Sequence, residues 1–378
     1  VFVLRITLFF TYGVSLKDWA ETGLIDRETL LYKELKKRYN IETQFLTFGD
    51  KSDRKYENLI EDICLLPIYE KIKRPNSKLY RMLKTPYAIW KLRNELRNTD
   101  ILKTNQQWGS WLAVLAKVLI SKPLIIRCGY DNLIWIRNRF TKAFSFLSLK
   151  FSYIFADTIH VSSEIDKKNI ISQFKTKTDK INVRPNWINT NDFKPFKEKR
   201  KNRLLFVGRF NDQKNIPLLL DAIKNTQIGL DIVGDGNMKK QIETQINESN
   251  LDVSLIGKVP NSDLPAHYNK NSIFILCSKY EGNPKALLEA MSCEMAVIGT
   301  DVLGIRQIIN NNYNGLLVQP NSIDLKNAII KLFNNIDLQR KFGRNARKTI
   351  IKNNSLDNYL IDEYSTYRDL HEKNYKNL

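Results

Sequence analysis

Residues 280–291 read Tyr-Glu-Gly-Asn-Pro-Lys-Ala-Leu-Leu-Glu-Ala-Met and follow closely on a short apolar run at 273–276. The apolar run is typical of a buried strand. The Asn-Pro pair at 283–284 suits the N-cap and first position of a helix. The stretch therefore predicts a strand, a turn and a helix, with a carboxylate on each side of the helix start at Glu281 and Glu289.

The two glutamates are spaced for a long ligand. Glu289 lies about 7 Å along the helix axis from the helix start, at about 1.5 Å per residue. This spacing disfavours a retaining hydrolase, whose two carboxyl groups lie about 5 Å apart. Two separated acceptors instead suit two sets of hydroxyls on one extended ligand. The free N–H groups predicted for Lys285, Ala286 and Leu287 offer a further contact for a phosphate or a sugar oxygen.

The same stretch resembles the Glu-x7-Glu signature of the retaining GT-B glycosyltransferases of family four. In that family the first Glu contacts hydroxyls of the donor sugar and the second contacts the ribose of the nucleotide. The resemblance implies these roles for Glu281 and Glu289. It also implies an α/β fold of the GT-B type, in which two Rossmann-like doubly wound parallel-sheet domains face each other across a cleft. A helix that carries two glutamates by coincidence is the alternative, and the neighbouring motifs argue against it.

A second motif precedes the first one. Residues 204–207 are apolar, Gly208 and Arg209 follow them, and Lys214 stands just before a predicted helix at 216–223. Glycine allows close backbone approach, while the planar fork of Arg and the point charge of Lys both suit a diphosphate. In the family, the matching Gly-Arg and Lys bind the nucleotide diphosphate in place of a metal ion. The alternative is a surface Arg and Lys that happen to follow a strand.

Three more short apolar runs, at 230–236, 253–259 and 296–300, each carry a glycine at or near their end. Their alternation with amphipathic stretches is the pattern of a doubly wound parallel sheet. We interpret Gly234 first as a turn residue and second as an edge of the nucleotide-base pocket. Within the donor site we predict catalytic roles for Arg209, Lys214 and Glu281. The predicted donor-binding residues are Gly208, Arg209, Lys214, Gly234, Glu281, Gly282, Asn283, Pro284, Lys285, Ala286, Leu287 and Glu289.

A chain of 378 residues suits two domains of about 100–200 residues each. We predict an N-terminal acceptor-binding domain at 1–185, a polar and proline-marked linker at 186–201, and a C-terminal nucleotide-sugar-binding domain at 202–355. In the GT-B fold the last helix, 356–378, would join the first domain. Candidate strands of the N-terminal half are residues 1–10, 43–48, 101–104, 123–127 and 158–161, with a helix at 109–119.

The N-terminal half offers weaker candidates for the cleft or the acceptor. Gly13 ends the first strand, where the family often has paired glycines near the donor phosphates. Arg127 could complement the phosphates, and Tyr130 or Asp131 could meet the acceptor or the reacting sugar. A solvated turn is the alternative for these three. Gln107 lies in a similar turn beside an indole and could bind a sugar.

The chain carries 60 Lys and Arg against 40 Asp and Glu, a net charge of +20. No zinc-finger spacing, RNA-recognition motif or basic-zipper heptad accompanies this charge, which disfavours nucleic acid as the partner. Two stretches, 78–97 and 135–155, interleave cations with aromatic and aliphatic residues and fit helices resting on anionic lipid. Amphipathic helices packed on a sheet are the alternative. If lipid is the partner, the basic residues predict reversible, salt-sensitive binding.

Histidine and cysteine give no sign of a metal centre. The three histidines are scattered, and the four cysteines lack paired spacing, which suits free thiols in a reducing, cytoplasmic setting. We therefore expect no metal and no other cofactor. Charged residues interrupt the longest apolar runs, and residues 1–10 read as a strand rather than a signal peptide. The expected location is cytoplasmic, or peripheral on the inner face of the cytoplasmic membrane.

The resemblance implies a retaining, metal-independent transferase that moves a sugar from a UDP- or GDP-linked donor to an acceptor hydroxyl. Its partners would be a nucleotide-sugar donor and a glycan or lipid-linked acceptor, in the synthesis of surface polysaccharide or lipid-linked glycan. One alternative is another GT-B enzyme acting on a nucleotide sugar, such as an epimerase. An alternative of a different class is a basic nucleic-acid-binding protein.

Overall fold

The structure is a computed structural model that describes residues 3–129 and 138–376, with only the backbone described for Lys78, Leu79 and Lys376. The chain forms two compact units. The first unit comprises Val1–Arg184 and Leu360–Leu378, and the second comprises Pro185–Tyr359.

Within the described residues, the first unit contains a parallel sheet of seven strands. In chain order the strands are β1 (Arg5–Phe9), β2 (Glu42–Thr47), β3 (Ile63–Pro67), β4 (Ile101–Thr104), β5 (Leu124–Cys128), β6 (Thr158–Val161) and β7 (Ile181–Val183). Their order across the sheet is β3-β2-β1-β4-β5-β6-β7, so the direction of winding reverses between β1 and β4. Such a reversal is the mark of a doubly wound sheet, and ligands bind beside it at the carboxyl ends of the strands.

The helices of the first unit connect these strands. They are α1 (Leu16–Glu21), α2 (Ile25–Tyr39), α3 (Lys78–Lys91), α4 (Arg93–Arg97), α5 (Ser110–Ile120), α6 (Arg139–Phe155) and α7 (Glu164–Phe174), with 3₁₀ turns at Lys51–Leu59, Ile68–Glu70 and Thr178–Lys180. The first unit also contains most of the last helix, α15 (Leu356–Lys376).

The second unit has a parallel sheet of six strands within the described residues. In chain order they are β8 (Lys201–Val207), β9 (Leu230–Val233), β10 (Val253–Gly257), β11 (Asn271–Leu276), β12 (Ala296–Thr300) and β13 (Leu316–Val318). Their order is β10-β9-β8-β11-β12-β13. The helices are α8 (Ile216–Ile223), α9 (Lys239–Glu248), α10 (Leu264–Lys270), α11 (Lys285–Ser292), α12 (Leu303–Arg306), α13 (Ser322–Phe333) and α14 (Ile336–Asn354), with 3₁₀ turns at Asp212–Lys214 and Asn261–Asp263.

The two central strands of the second unit are buried on both faces. Leu204 and Phe206 of β8 pack into the core on one side of the sheet, while Leu205 and Val207 pack into the core on the other side. Successive side chains of a strand point to opposite faces. A strand covered on both faces therefore needs a continuous apolar run, which is the pattern that the sequence shows at β8 and β11.

A buried charge cluster fixes α15 to the sheet of the first unit. The Lys103 Nζ atom on β4 lies 2.6 Å from Glu363 Oε2 and donates to the Tyr367 hydroxyl at 2.9 Å. His160 Nδ1 on β6 lies 3.1 Å from Glu363 Oε1, and all of these side chains are nearly inaccessible. Removing one partner of such a buried pair leaves an uncompensated charge, at a cost of about 3–5 kcal/mol.

Several sequence predictions are confirmed and others are wrong. The structure confirms the doubly wound α/β class and each predicted strand, within a few residues at its ends. The sequence did not predict three of the strands, β3, β7 and β13. The predicted linker at 186–201 is wrong, because this segment lies in the second unit and buries Ile188 and Phe193 in its core.

Candidate functional site

Two loops meet at the carboxyl ends of β8 and β11. These strands are neighbours in a parallel sheet, so the loops that follow them lie at the same edge. The Lys279 N–H donates to the Gln213 carbonyl at 2.8 Å, and the Gln213 amide donates to the Tyr280 carbonyl at 3.0 Å. The Cys277 thiol lies 3.3 Å from the Lys214 carbonyl. Burial raises the pKa of this thiol to about 12, so it stays protonated as a donor.

Lys214 and Glu281 are in direct contact. The Lys214 Nζ atom lies 2.5 Å from Glu281 Oε1, and the two side chains are only 13% and 7% exposed. The Ser278 hydroxyl donates to the same carboxylate oxygen at 2.6 Å. The two motifs are 67 residues apart in sequence, and the fold places their charged groups in one site. The site thus holds a cation and a carboxylate in direct contact.

Two glycines lie beside this site. A Cβ atom on Gly208 would lie 3.2 Å from the Phe206 ring and, at an ordinary contact distance of 3.6 Å, beside Lys214 Cε. Gly234 has φ +141°, and a Cβ atom there would lie 1.9 Å from the Gly208 carbonyl oxygen. No other residue fits this position without moving the backbone. Gly234 therefore serves the turn that packs the end of β9 against the end of β8.

Arg209 follows Gly208 and its side chain is exposed. Among the residues that the structure describes, no hydrogen bond or ion pair engages its guanidinium group. The turn after it is fixed by Asn211, whose side chain accepts from the Lys214 N–H at 3.2 Å. Asn215 then adopts a left-handed conformation with φ +52°, which directs the chain into α8. The guanidinium group is thus available to a ligand at the edge where Lys214 lies.

The start of α11 differs from the prediction. The helix begins at Lys285 with Pro284 as its N-cap residue. Asn283 is not the cap, because its side-chain oxygen accepts from the Asn186 N–H at 3.2 Å and its carbonyl accepts from the Asn186 amide at 2.7 Å. The Leu287 N–H donates to the Pro284 carbonyl at 3.2 Å. One of the three N–H groups that we expected to be free is therefore used within the protein.

Lys285 and Gly282 make contacts that the motif alone does not reveal. The Lys285 Nζ atom lies 5.4 Å from the centroid of the buried Trp187 ring. A cation in the first turn opposes the helix dipole, and the indole face offsets part of this cost. A Cβ atom on Gly304 would lie 2.2 Å from the Gly282 carbonyl oxygen. Gly304, which the sequence analysis did not select, thus lets α12 approach the Glu281 loop.

Glu289 lies in different surroundings from Glu281. Its side chain is buried on α11, and its Oε2 atom accepts a hydrogen bond from the Tyr268 hydroxyl at 2.8 Å. Burial, together with the charge of Glu289, raises the pKa of Tyr268 well above its usual value. The phenol therefore stays protonated and donates. Sequence reasoning missed Tyr268 because nothing near it in the chain links it to Glu289.

In the first unit, a buried carboxylate accepts from the start of the helix that follows β1. Gly13 has φ +85° and serves the turn. The buried Asp53 accepts from the first N–H groups of α1, those of Leu16 and Lys17, at 3.0 and 3.1 Å. A carboxylate already occupies this helix start and would repel an anion. The N–H groups of Leu16 and Lys17 are therefore used within the protein, and the role of Gly13 near donor phosphates stays a prediction.

The remaining first-unit candidates have different outcomes. Gln107 is 4% exposed, and its Oε1 atom accepts from the Tyr153 hydroxyl at 2.8 Å and from the Cys128 thiol at 3.0 Å. This places the amide in the core of the first unit, and its candidate role in sugar binding stays a prediction. Arg127 is half-buried at the end of β5, where its N–H donates to Thr104 Oγ1 at 3.0 Å. Tyr130 and Asp131 lie outside the described residues.

The part of the chain that the structure describes contains no group of three or more His, Cys, Asp or Glu residues placed to hold a metal ion. No helix among the described residues is both long and apolar enough to cross a membrane.

Residues 188–349 match the family model of glycosyl transferases group 1. An uncharacterised glycosyltransferase of Methanocaldococcus jannaschii is 28% identical over 85% of this chain and 88% of that protein. A Campylobacter jejuni α-1,4-N-acetyl-D-galactosaminyltransferase, named for an undecaprenol-linked GalNAc acceptor, is 27% identical over 72% of this chain and 75% of that protein. The crystal structure of Anabaena HepE in complex with UDP has a TM-score of 0.78 at 17% identity, covering 97% of this chain and all of HepE.

The two parallel-sheet units and this structural neighbour define a GT-B fold. The chain matches the glycosyl transferases group 1 over residues 188–349, which confirms the resemblance seen in the sequence. It is a glycosyltransferase with relatives in polysaccharide and lipid-linked glycan synthesis.

Proposed function

We propose that the protein is a retaining, metal-independent glycosyltransferase that moves a sugar from a UDP- or GDP-linked donor to an acceptor hydroxyl. The observation that carries this proposal is the contact of Lys214 with Glu281 at 2.5 Å. A cation suits a diphosphate, and a carboxylate suits sugar hydroxyls. Because these groups touch, they suit adjacent parts of one ligand. In a nucleotide sugar the diphosphate is bonded directly to the sugar.

The proposed reaction uses these groups at the bond that breaks. The acceptor hydroxyl attacks the anomeric carbon on the face from which the diphosphate departs. The bond between that carbon and the phosphate oxygen breaks, and the acceptor proton passes to the leaving phosphate. Arg209 and Lys214 stabilise the charge that develops there, at about 3 kcal/mol for each preorganised donor. These cations take the place of a metal ion.

Glu281 and Glu289 hold the two ends of the donor in this proposal. Glu281 exchanges its contact with Lys214 for the sugar hydroxyls, and Ser278 keeps its carboxylate oriented. Glu289 accepts from the ribose and is held by the Tyr268 hydroxyl. The support for this division is the separate position of the two carboxylates, one on the loop after β11 and one inside α11.

The relatives support a nucleotide-sugar donor and a glycan acceptor. HepE has been solved with UDP and with UDP-glucose. Relatives from Campylobacter jejuni are named for sugar transfer to undecaprenol-linked acceptors. We therefore place the acceptor of this protein among growing surface polysaccharides or lipid-linked glycans.

The test is a panel of UDP- and GDP-sugars, incubated with and without a lipid-linked glycan acceptor, with nucleotide release as the measurement. The proposal expects release that rises at least about tenfold when an acceptor is added, and a product with the anomeric configuration of the donor. Nucleotide release without transfer would indicate an epimerase instead. No release from any donor, combined with strongly salt-dependent RNA or DNA binding, would overturn the assignment.

A further inference from the structure

Helix α6 presents a stripe of large apolar side chains to solvent. The stripe residues are spaced alternately by four and three residues, which places them on one helix face. Their exposed fractions are 89%, 47%, 64%, 47% and 61% for Phe140, Phe144, Leu147, Phe151 and Ile154. The stripe is about 21 Å long at about 1.5 Å per residue. Exposed apolar patches of this size mark interaction surfaces rather than ordinary protein surface.

The opposite face of α6 is buried against the rest of the first unit. It buries Ser145, Leu149, Ser152 and Tyr153. The Ser152 hydroxyl lies 2.9 Å from that of Ser110 on α5, so the two helices approach closely through small residues. One face of α6 is thus packed within the first unit, and the apolar stripe lies on its other face.

Helix α3 carries a second stripe in the same helix layer. Both α3 and α6 pack against α5. The large side chains of α3 that are exposed are Tyr80, Leu83, Tyr87 and Trp90, spaced alternately by three and four residues. Two of the aromatic rings are paired with cations, since the Arg93 guanidinium lies 4.2 Å from the Trp90 ring centroid and Lys91 Nζ lies 5.3 Å from that of Tyr87. Aromatic rings beside cations are typical of side chains at a lipid headgroup boundary.

The positive charges around the two stripes indicate what kind of surface the stripes bind. Neither α3 nor α6 contains an Asp or Glu, whereas the exposed Lys84, Lys91, Lys142 and Lys150 accompany the stripes. Among the described residues, none of these four lysines forms an ion pair. A second copy of the chain would bring like charges together, which costs several kcal/mol in a specific complex. An anionic lipid surface complements both the apolar stripes and the cations.

We propose that α3 and α6 dock the first unit onto the surface of an anionic bilayer, with the α6 stripe inserted at the boundary of headgroups and acyl chains. The lysines bind the headgroups. This inference goes beyond the proposed function and does not rest on the donor site. It also revises the expectation of purely salt-sensitive binding, because an inserted apolar stripe resists screening by salt.

Co-sedimentation with phosphatidylglycerol and phosphatidylcholine vesicles tests the proposal in the absence of any substrate. The wild type should bind phosphatidylglycerol vesicles and stay partly bound at about 1 M salt, where the Debye length is about 3 Å. The variant Phe144→Ser/Leu147→Ser/Phe151→Ser should bind at least about tenfold more weakly, because binding scales with the apolar area inserted. The variant Lys142→Ser/Lys150→Ser should lose affinity at low salt only.

A matched control replaces three exposed isoleucines of the second unit, at Ile323, Ile336 and Ile351, by Ser and should bind as the wild type does. If the triple α6 variant does not fold by circular dichroism, Phe140→Ser replaces it, because that ring is 89% exposed and packs little in the fold. Unchanged vesicle binding of the α6 variant, or complete release of the wild type by salt, would overturn the insertion. A wild-type dimer that the α6 variant dissociates would show that a second copy is the partner.

Discussion

Replacing Lys214 by Met separates a role in ligand binding from a role in the fold. Methionine keeps the unbranched side chain as far as Cε and removes the charged Nζ group. The lost contact is the 2.5 Å pair with Glu281, whose two side chains are 13% and 7% exposed. The substitution leaves a mostly buried carboxylate with the Ser278 hydroxyl as its remaining donor. Breaking a buried pair on one side costs about 3–5 kcal/mol, which we expect as a loss in the free energy of unfolding.

The loss of activity has a different physical cause and should behave differently. Removing one preorganised donor from a developing negative charge lowers kcat/KM by about 10²–10³-fold. In the double variant Lys214→Met/Glu281→Gln the unpaired charge is gone. The free energy of unfolding should therefore recover, while kcat/KM stays at least about 10²-fold below that of the wild type. Urea denaturation and nucleotide release from the preferred donor measure the two quantities.

Lys279→Met is the matched control, because its Nζ atom lies 2.5 Å from Asp212 Oδ1 in the adjoining loop. Those side chains are 46% and 78% exposed, so the loss should be at most about 1 kcal/mol, with activity near that of the wild type. The reasoning fails if Lys214→Met loses stability yet keeps activity within about threefold of the wild type. It also fails if the double variant regains both quantities, since Lys214 would then act only on the fold.

Three further predictions follow from the described contacts. In titrations with UDP and GDP, Glu281→Gln should keep its nucleotide affinity, because a nucleotide without its sugar has no group for Glu281, whereas Glu289→Gln should lose nucleotide affinity. Equal losses of affinity in the two variants would show that the roles are wrongly divided. Transfer should continue in excess EDTA, because Arg209 and Lys214 neutralise the diphosphate; activity lost in EDTA and restored by magnesium or manganese would contradict this. Burial lowers the pKa of His160 below its usual 6.5. Burial alone would raise the pKa of Glu363, but Lys103 and His160 hold that pKa well below its usual range. The unfolded chain therefore binds more protons in acid than the folded chain does, so the Tm should fall as the pH is lowered below about 6.5. The variant His160→Gln should show a smaller fall of Tm between about pH 7 and 5.5, and identical Tm profiles of variant and wild type would contradict this role of His160.

The sequence predicted the central strands well and missed three edge strands. β8, β11 and β12 are covered on both faces, which forces a continuous apolar run that is visible in any short window. The missed strands β3, β7 and β13 each lie at the edge of a sheet. Each of these strands has side chains that are only partly buried or exposed, and two of the strands have only three residues. Such strands are defined by the neighbour that they pair with rather than by their own composition.

In the candidate site, too, local sequence patterns predicted the individual motifs but not the contacts between distant segments. The residues of each motif were recognised locally, because strand, turn and helix start follow one another in the chain. The contacts of Lys214 with Glu281 and of Tyr268 with Glu289 join distant segments, and no local pattern encodes them. Composition also misled at 186–201, where prolines and charges suggested a linker although Ile188 and Phe193 are core residues.

A structure of the protein with an intact UDP- or GDP-sugar tests the central claim most directly. The account predicts diphosphate oxygens within about 3 Å of Lys214 Nζ and of the Arg209 guanidinium group. It also predicts that Glu281 has moved from Lys214 to the sugar hydroxyls, with the ribose at Glu289. A diphosphate bound away from these cations, with the Lys214–Glu281 contact unchanged, would contradict it.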